Sequence, residues 1–389
     1  MTAANLTAPA QRWHLRRRSD VPGWLSALVR LAAVLLAIVL VGVVLALGGL
    51  DPLALGAKAL RQTLGTAYGL EQAALLATPL IMTGLAVAVG MKMRLWNIGV
   101  EGQLYFGALA ATAVALNVKG PAPVMLAVVF LAGAAGGMLW MLVPALMRAY
   151  WSVNEIITTL LLNFVAVLLV GYFVIGPWRD RAAAILSASP RLPYLIPMIG
   201  QSYMNYGVLV PVAAAIVLAL AIQNTRWGYE VRIIGGNRRV AEFAGIPVLR
   251  RILAVMLLSG ALAGMAGMLQ VTGSAQRLSG TISNGYGFMG IIVAALANAS
   301  PLAVVPVGFL LAVLLNAGIV LQTQGLSVNA MLAINGVILI FAAIGEVAAG
   351  YRLVRGDPEA AVGPAEQPLR SERDDGTVGS DGLGVNRTS

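Results

Sequence analysis

The stretch Leu31–Leu50, LAAVLLAIVLVGVVLALGGL, carries no charged side chain over 20 residues. At about 1.5 Å per residue, a helix of that length crosses a hydrocarbon core of roughly 30 Å. The cluster Arg16-Arg17-Arg18 precedes it and no small-residue cleavage site follows, so the run reads as a retained signal-anchor helix. Comparable segments recur along the chain. With the first taken as Leu25–Leu47, the expected spans continue as Ala73–Gly90, Asn97–Leu116, Val124–Met147, Glu155–Ile175, Tyr206–Ile222, Ile252–Val271, Tyr286–Ala297, Leu302–Leu321 and Met331–Ile344. The third and eighth are glycine-rich and polar at one end, as broken or re-entrant helices are.

Composition leads to the same fold class. Hydrophobic residues make up 59% of the 389 and charged residues 11%, against about 25% charged in a soluble domain. Such a chain cannot coat itself in water, and lipid is the implied solvent for most of it. We therefore expect an all-α polytopic membrane protein of about ten transmembrane helices. The formal net charge of +10 sits in loops between apolar runs and not on one soluble face, which argues against nucleic acid as a partner.

Orientation follows from Lys and Arg. With a cytoplasmic N-terminus, 15 bases fall in inner loops and seven in outer loops, which favours N-in and C-in. Three parts result: a basic cytoplasmic arm (1–24), a transmembrane domain (25–350) and a tail (351–389) too polar to fold, expected to be disordered in the cytoplasm. Asn97-Ile98-Gly99 and Asn284-Gly285-Tyr286-Gly287 each open a short Gly/Ala-rich span, followed by a span flanked by proline. An odd number of crossings separates them, which suggests an inverted repeat.

Several chemistries are absent from the residue inventory. There is no cysteine, and the single histidine, His14, lies in the polar arm. Thiolate or imidazole metal sites and His-based catalysis therefore lack candidates. No catalytic residue, metal or cofactor is expected. No Gly-x-x-x-x-Gly-Lys-Ser/Thr segment occurs either, so any ATPase driving transport is a separate polypeptide.

The longest inner loop, 223–251, is more than a positive-inside linker on one reading. Asn237 is a good N-cap, Arg238–Ala244 can form about two helical turns, Gly245 can take the left-handed C′ position, and Pro247 prevents continuation. A helix that short needs a partner, and Val240, Phe243 and Ala244 would be the apolar contacts. On the other reading the loop only fixes topology.

Two interpretations also stand for the polar residues in the spans. Glu101, Gln103 and Asn163, with Asn97, Asn284 and Tyr286, could line a path for an uncharged hydroxylated solute. The same groups could equally hold helices together by hydrogen bonds. The small-residue runs Gly260-x3-Gly264 and Gly133-x2-Gly136-Gly137 read as helix-packing surfaces. The outer loop 176–205, with four prolines and several aromatic residues, is either a docking surface or a plain connection.

Four ordered motifs carry a family resemblance. They are Trp96-Asn97-Ile98-Gly99-Val100-Glu101-Gly102-Gln103, Asn154–Asn163 (NEIITTLLLN), the loop from Thr225 to Ile246 and Gly285–Ile291 (GYGFMGI). Together they resemble the permeases of ABC importers of the branched-chain amino acid and ribose type, nearest the nucleoside and simple-sugar branch. Arg238 and Glu242 depart from the usual pattern, in which a proline and an alanine or arginine are common. The resemblance implies that Gly228, Arg232, Gly235, Asn237, Val240, Ala241, Phe243, Ala244, Gly245 and Ile246 form the loop coupled to an ABC ATPase subunit. It also implies a second, related permease subunit, a solute-binding lipoprotein at the outer face, and residence in the cell membrane. The competing class is an ion-coupled secondary transporter, for which Glu101, Glu155 and Glu346 would be the available carboxylates.

Overall fold

A computed structural model describes residues 12–17, 23–182 and 187–356. Its helices are α1 (Gly23–Leu47), α2 (Pro52–Leu64), α3 (Ala67–Met91), α4 (Val100–Asn117), α5 (Ala122–Trp151), α6 (Glu155–Ile175) and α7 (Leu209–Asn224). Two shorter ones follow, α8 (Arg226–Gly236) and α9 (Arg238–Phe243), then α10 (Val248–Leu269), α11 (Tyr286–Leu296), α12 (Pro301–Gln322) and α13 (Val328–Gly350). Among the described residues, seven helices are long and apolar enough to cross a membrane. The expected count of ten adds α1, whose apolar stretch is shorter, with α4 and the 11-residue α11. These last two are the segments whose sequence suggested broken helices.

Two helices are additional to the expected spans and the short loop helix. α2 starts because the Asp51 carboxylate accepts hydrogen bonds from Leu53 N and Ala54 N (2.9 and 3.1 Å) and Pro52 suits the first turn. α8 occupies the first half of the inner loop, where only the second half was expected to be helical. Its start is capped by Thr225, whose hydroxyl accepts from Gly228 N at 3.1 Å.

Hydrogen bonds and close packing join the loops in two separate groups. On one face Trp96 N donates to Glu155, and α8 rests on the α3–α4 connection at Gly235. On the other, Tyr194 bonds Gly120, Tyr203 N donates to Glu71, and the loop 176–205 runs beside residues 272–278. The first face carries the arginine-rich segments, the side that the positive-inside rule expects to meet the cytoplasm.

The core is built by close approach of backbones. A Cβ added at Gly264 of α10 would lie 2.2 Å from Gly133 O of α5, and one at Gly137 would lie 2.1 Å from Gly260 O. Only hydrogen atoms fit there, so these runs do serve packing. The pairings also repeat internally: α4 packs on α5 and α10, α11 packs on α12 and α3, and α10 meets α5 as α3 meets α12. Exchanging α3 with α10, α4 with α11 and α5 with α12 leaves this scheme unchanged, as an internal repeat would.

One boundary needs correction. The tail was expected to be unstructured from residue 351, yet β2 (Tyr351–Gly356) pairs antiparallel with β1 (Arg12–Arg17). Both ends of the described chain therefore meet on one side, which an even number of crossings requires. Residues 357–389 lie outside the described residues.

Candidate functional site

Three places hold the residues singled out by sequence: a buried polar junction, an outer cavity and the cytoplasmic helices.

The junction forms where α3 ends and α4 begins. Asn97 Nδ2 donates to Gln103 Oε1 and to Ser259 Oγ of α10, both at 2.8 Å, and its Oδ1 accepts from Gly99 N and Gln103 Nε2, both at 3.0 Å. Ser259 Oγ in turn donates to Ala86 O of α3. From α6, Asn163 Oδ1 accepts from Gly102 N and its Nδ2 donates to Ile98 O, each at 2.8 Å. Glu155 accepts from Trp96 N at 3.2 Å and pairs with Arg148 at 3.1 Å. Glu101 reaches across to α11, its Oε2 accepting from Ser283 Oγ at 2.8 Å and Gly287 N at 2.7 Å. The first turn of one short helix thus caps the first turn of the other, where unpaired amides attract negative charge.

Asn97, Glu101, Gln103 and Asn163 are each 5% exposed or less, and their hydrogen bonds go to the protein itself. The arrangement favours the packing interpretation for them. Asn97 borders only a crevice too narrow for a water molecule. Asn284 is exposed, with φ +48° in the turn before α11. Tyr286, of the expected path residues, lines a cavity of useful size.

That cavity, about 230 Å³, opens among α3, the outer end of α10 and the loop 196–205. Gln72, Tyr203, Asn205, Gln270, Ser274, Gln276 and Tyr286 supply its polar groups. Gln270–Ser274 is a π turn closed by Ala275 N donating to Gln270 O at 2.9 Å, a feature common at functional sites. Sequence reasoning passed over these glutamines; Gln270, a polar residue within an apolar span, was the one available signal. A neighbouring cavity of about 480 Å³ shares Gln72 and Leu76, and a third of about 400 Å³ between α3, α7 and α12 is apolar.

On the arginine-rich face α9 has both ends fixed. Asn237 Oδ1 accepts from Arg239 N and Val240 N at 3.0 and 3.3 Å. Gly245 takes φ +72°, and Ile246 N bonds Ala241 O at 3.0 Å, closing a Schellman-type end. Arg238 and Glu242 pair at 2.9 Å along its surface. Phe243 is 93% exposed and Val240 and Ala244 are also exposed, whereas Ala241 is fully buried and anchors α9 to the body. Gly228 and Gly235 are packing positions: Cβ atoms there would lie 2.3 Å from Ile222 O and 1.9 Å from Lys92 O. Ile246 is half-buried and Arg232 exposed. Burial, and then the Arg232 charge, hold the Lys92 ammonium below its ordinary pKa. An ion pair between Arg251 and Glu230 ties α8 to α10.

With this geometry in view, residues 69–343 match the family described as the branched-chain amino acid transport system permease component, and the chain belongs to that family. It is a multi-pass permease of the cell membrane. Among its relatives, the glucose ABC transporter permease TsgB13 of Haloferax volcanii is 36% identical over 86% of this chain and 92% of its own length. The guanosine ABC transporter permease NupP of Bacillus subtilis is 36% identical over 59% of this chain and 67% of its own. The nucleoside ABC transporter permease NupB of Lactococcus lactis is 27% identical over 82% and 90% respectively. No solved structure matches the chain.

Proposed function

We propose that this permease carries a nucleoside-like or simple-sugar solute inward, driven by ATP hydrolysis on a separate ATPase subunit that grips α9. The observation that carries the reading is Phe243. A large apolar side chain stands 93% exposed on a six-residue helix whose two ends are both specified. Left in water, such a helix has little to hold it; seated in a partner's groove, it transmits force to α8 and, through Gly235 and the Arg251–Glu230 pair, to α3 and α10. The solute class rests on the glucose, guanosine and nucleoside relatives. A related second permease completes the pathway as a heterodimer, and a solute-binding lipoprotein docks on the loop 176–205. That loop is tied to the outer end of α10 by Ser189 N to Leu278 O (2.9 Å) and Ile196 N to Thr272 O (3.0 Å).

The test is uptake of radiolabelled guanosine and D-glucose into proteoliposomes holding the complete transporter. ATP-dependent uptake of either supports the reading. Uptake that persists without the ATPase and collapses with an ion gradient would instead favour the secondary-transporter class.

A further inference from the structure

The outer cavity has a chemistry that narrows what it can hold. Its polar groups are three glutamine amides, the Asn205 amide, the Ser274 hydroxyl and the phenols of Tyr203 and Tyr286; no Asp, Glu, Lys or Arg lines it. A charged solute would shed water there without meeting an opposite charge, which is costly. A neutral solute with several hydroxyls meets the reverse: each primary amide offers two donors and an acceptor, which match hydroxyl groups that both give and take. No hydrogen bond among the described residues engages the amides of Gln72, Gln270 or Gln276, so their capacity is open to a ligand.

The walls are also built in place. Asn205 Oδ1 accepts from Gly207 N at 2.9 Å, which fixes that amide, and a Cβ at Gly273 would lie 2.9 Å from Asn205 Nδ2. Gly273 therefore leaves the amide its room beside the π turn. The floor, Tyr286, is held through its carbonyl by Thr83 Oγ1 at 3.1 Å, one residue before the Gly287 N–H that Glu101 caps. A bound solute would thus rest against the junction of the two short helices.

We infer that this cavity is an outer solute site that reads the hydroxylated sugar ring common to a free hexose and a nucleoside. The assignment rests on the proposed transport of such solutes, and it names the residues that select them.

The native chain has no cysteine, so Ser274→Cys places one thiol at the cavity while keeping all three glutamines. In the complete transporter, labelling of that thiol by an impermeant reagent added outside is followed with D-glucose, guanosine, guanine or L-leucine present. D-glucose and guanosine should each slow labelling at least about fivefold, and guanine and L-leucine should not, since hydroxyl pairing supplies the selectivity. Gln270→Leu and Gln276→Leu should each lower uptake about tenfold while the ATPase still co-purifies. Labelling unaffected by both sugar-bearing probes, or slowed equally by guanine or L-leucine, would overturn the assignment. Protection without ATP-dependent uptake would leave the cavity standing and remove the ATP-driven reading; uptake without protection would remove the cavity alone.

Discussion

Replacing Gly245 with valine perturbs α9 through the backbone alone. A Cβ there meets no atom within 4 Å, so no clash contributes, but φ is +72°. Holding a non-glycine residue in the left-handed region costs about 1–2 kcal/mol, and a β-branched side chain belongs at the upper end. A six-residue helix has no reserve of its own to absorb that cost. The loss should therefore appear where α9 must be ordered, in ATPase binding, as about a 5- to 30-fold weaker affinity. Gly236→Ala is the matched control: its added Cβ also meets nothing within 4 Å, and its φ is not in the left-handed region. Titrating the ATPase subunit against each permease in nanodiscs, alongside thermal unfolding of the permease alone, separates binding from folding. Gly245→Val should lose affinity at nearly unchanged Tm, and Gly236→Ala should lose none. Wild-type affinity for Gly245→Val would refute the reasoning, because α9 would then not need its ordered end.

Phe243→Ala should weaken ATPase binding by about 2 kcal/mol or more, roughly 30-fold, since an aromatic anchor buries at least about 150 Å² when seated; the same titration reads it, with Tm unchanged. Glu101→Ala strips the acceptor from Ser283 Oγ and Gly287 N and should destabilise the permease by about 1–3 kcal/mol, visible in thermal unfolding. Gly264→Leu sets side-chain atoms where a Cβ would already lie 2.2 Å from Gly133 O and should cost about 3 kcal/mol or more, visible as poor yield of folded protein. Lys92 has a folded-state pKa below its ordinary 10.5. The unfolded chain therefore binds the proton more tightly, and this group's penalty on stability is full below the folded pKa and fades as pH rises from there to 10.5. Lys92→Met should accordingly raise Tm on the acid side of a Tm-against-pH profile and flatten its alkaline rise.

What was legible in the sequence was local. Asn237, Gly245 and Pro247 specify a short helix within ten residues, and the structure forms it with the left-handed glycine in place. The long apolar runs declare themselves by hydropathy. α8 did not, because two arginines and a glutamate among glycines read as a polar linker until Gly228 and Gly235 are seen to pack. The β1–β2 ladder was hidden because β1 is short and arginine-rich, β2 does not alternate, and the two meet where α1 and α13 bring the ends together. The polar junction was half visible. Asn97, Glu101, Gln103 and Asn163 stood out as polar residues in apolar surroundings, but their partners Ser259, Ser283 and Gly287 lie far along the chain, so hydrogen bonding and solute contact looked alike. Gln72, Gln270 and Gln276 converge only in three dimensions, across some two hundred residues of chain.

A single thiol at residue 239, made by Arg239→Cys one helical turn before Phe243 in the otherwise cysteine-free chain, tests the coupling claim at its root while keeping the aromatic anchor. In sealed vesicles of known orientation, an impermeant reagent should reach it only from the cytoplasmic side, and bound ATPase should shield it. Labelling from the exterior, or labelling indifferent to the ATPase, would contradict the account.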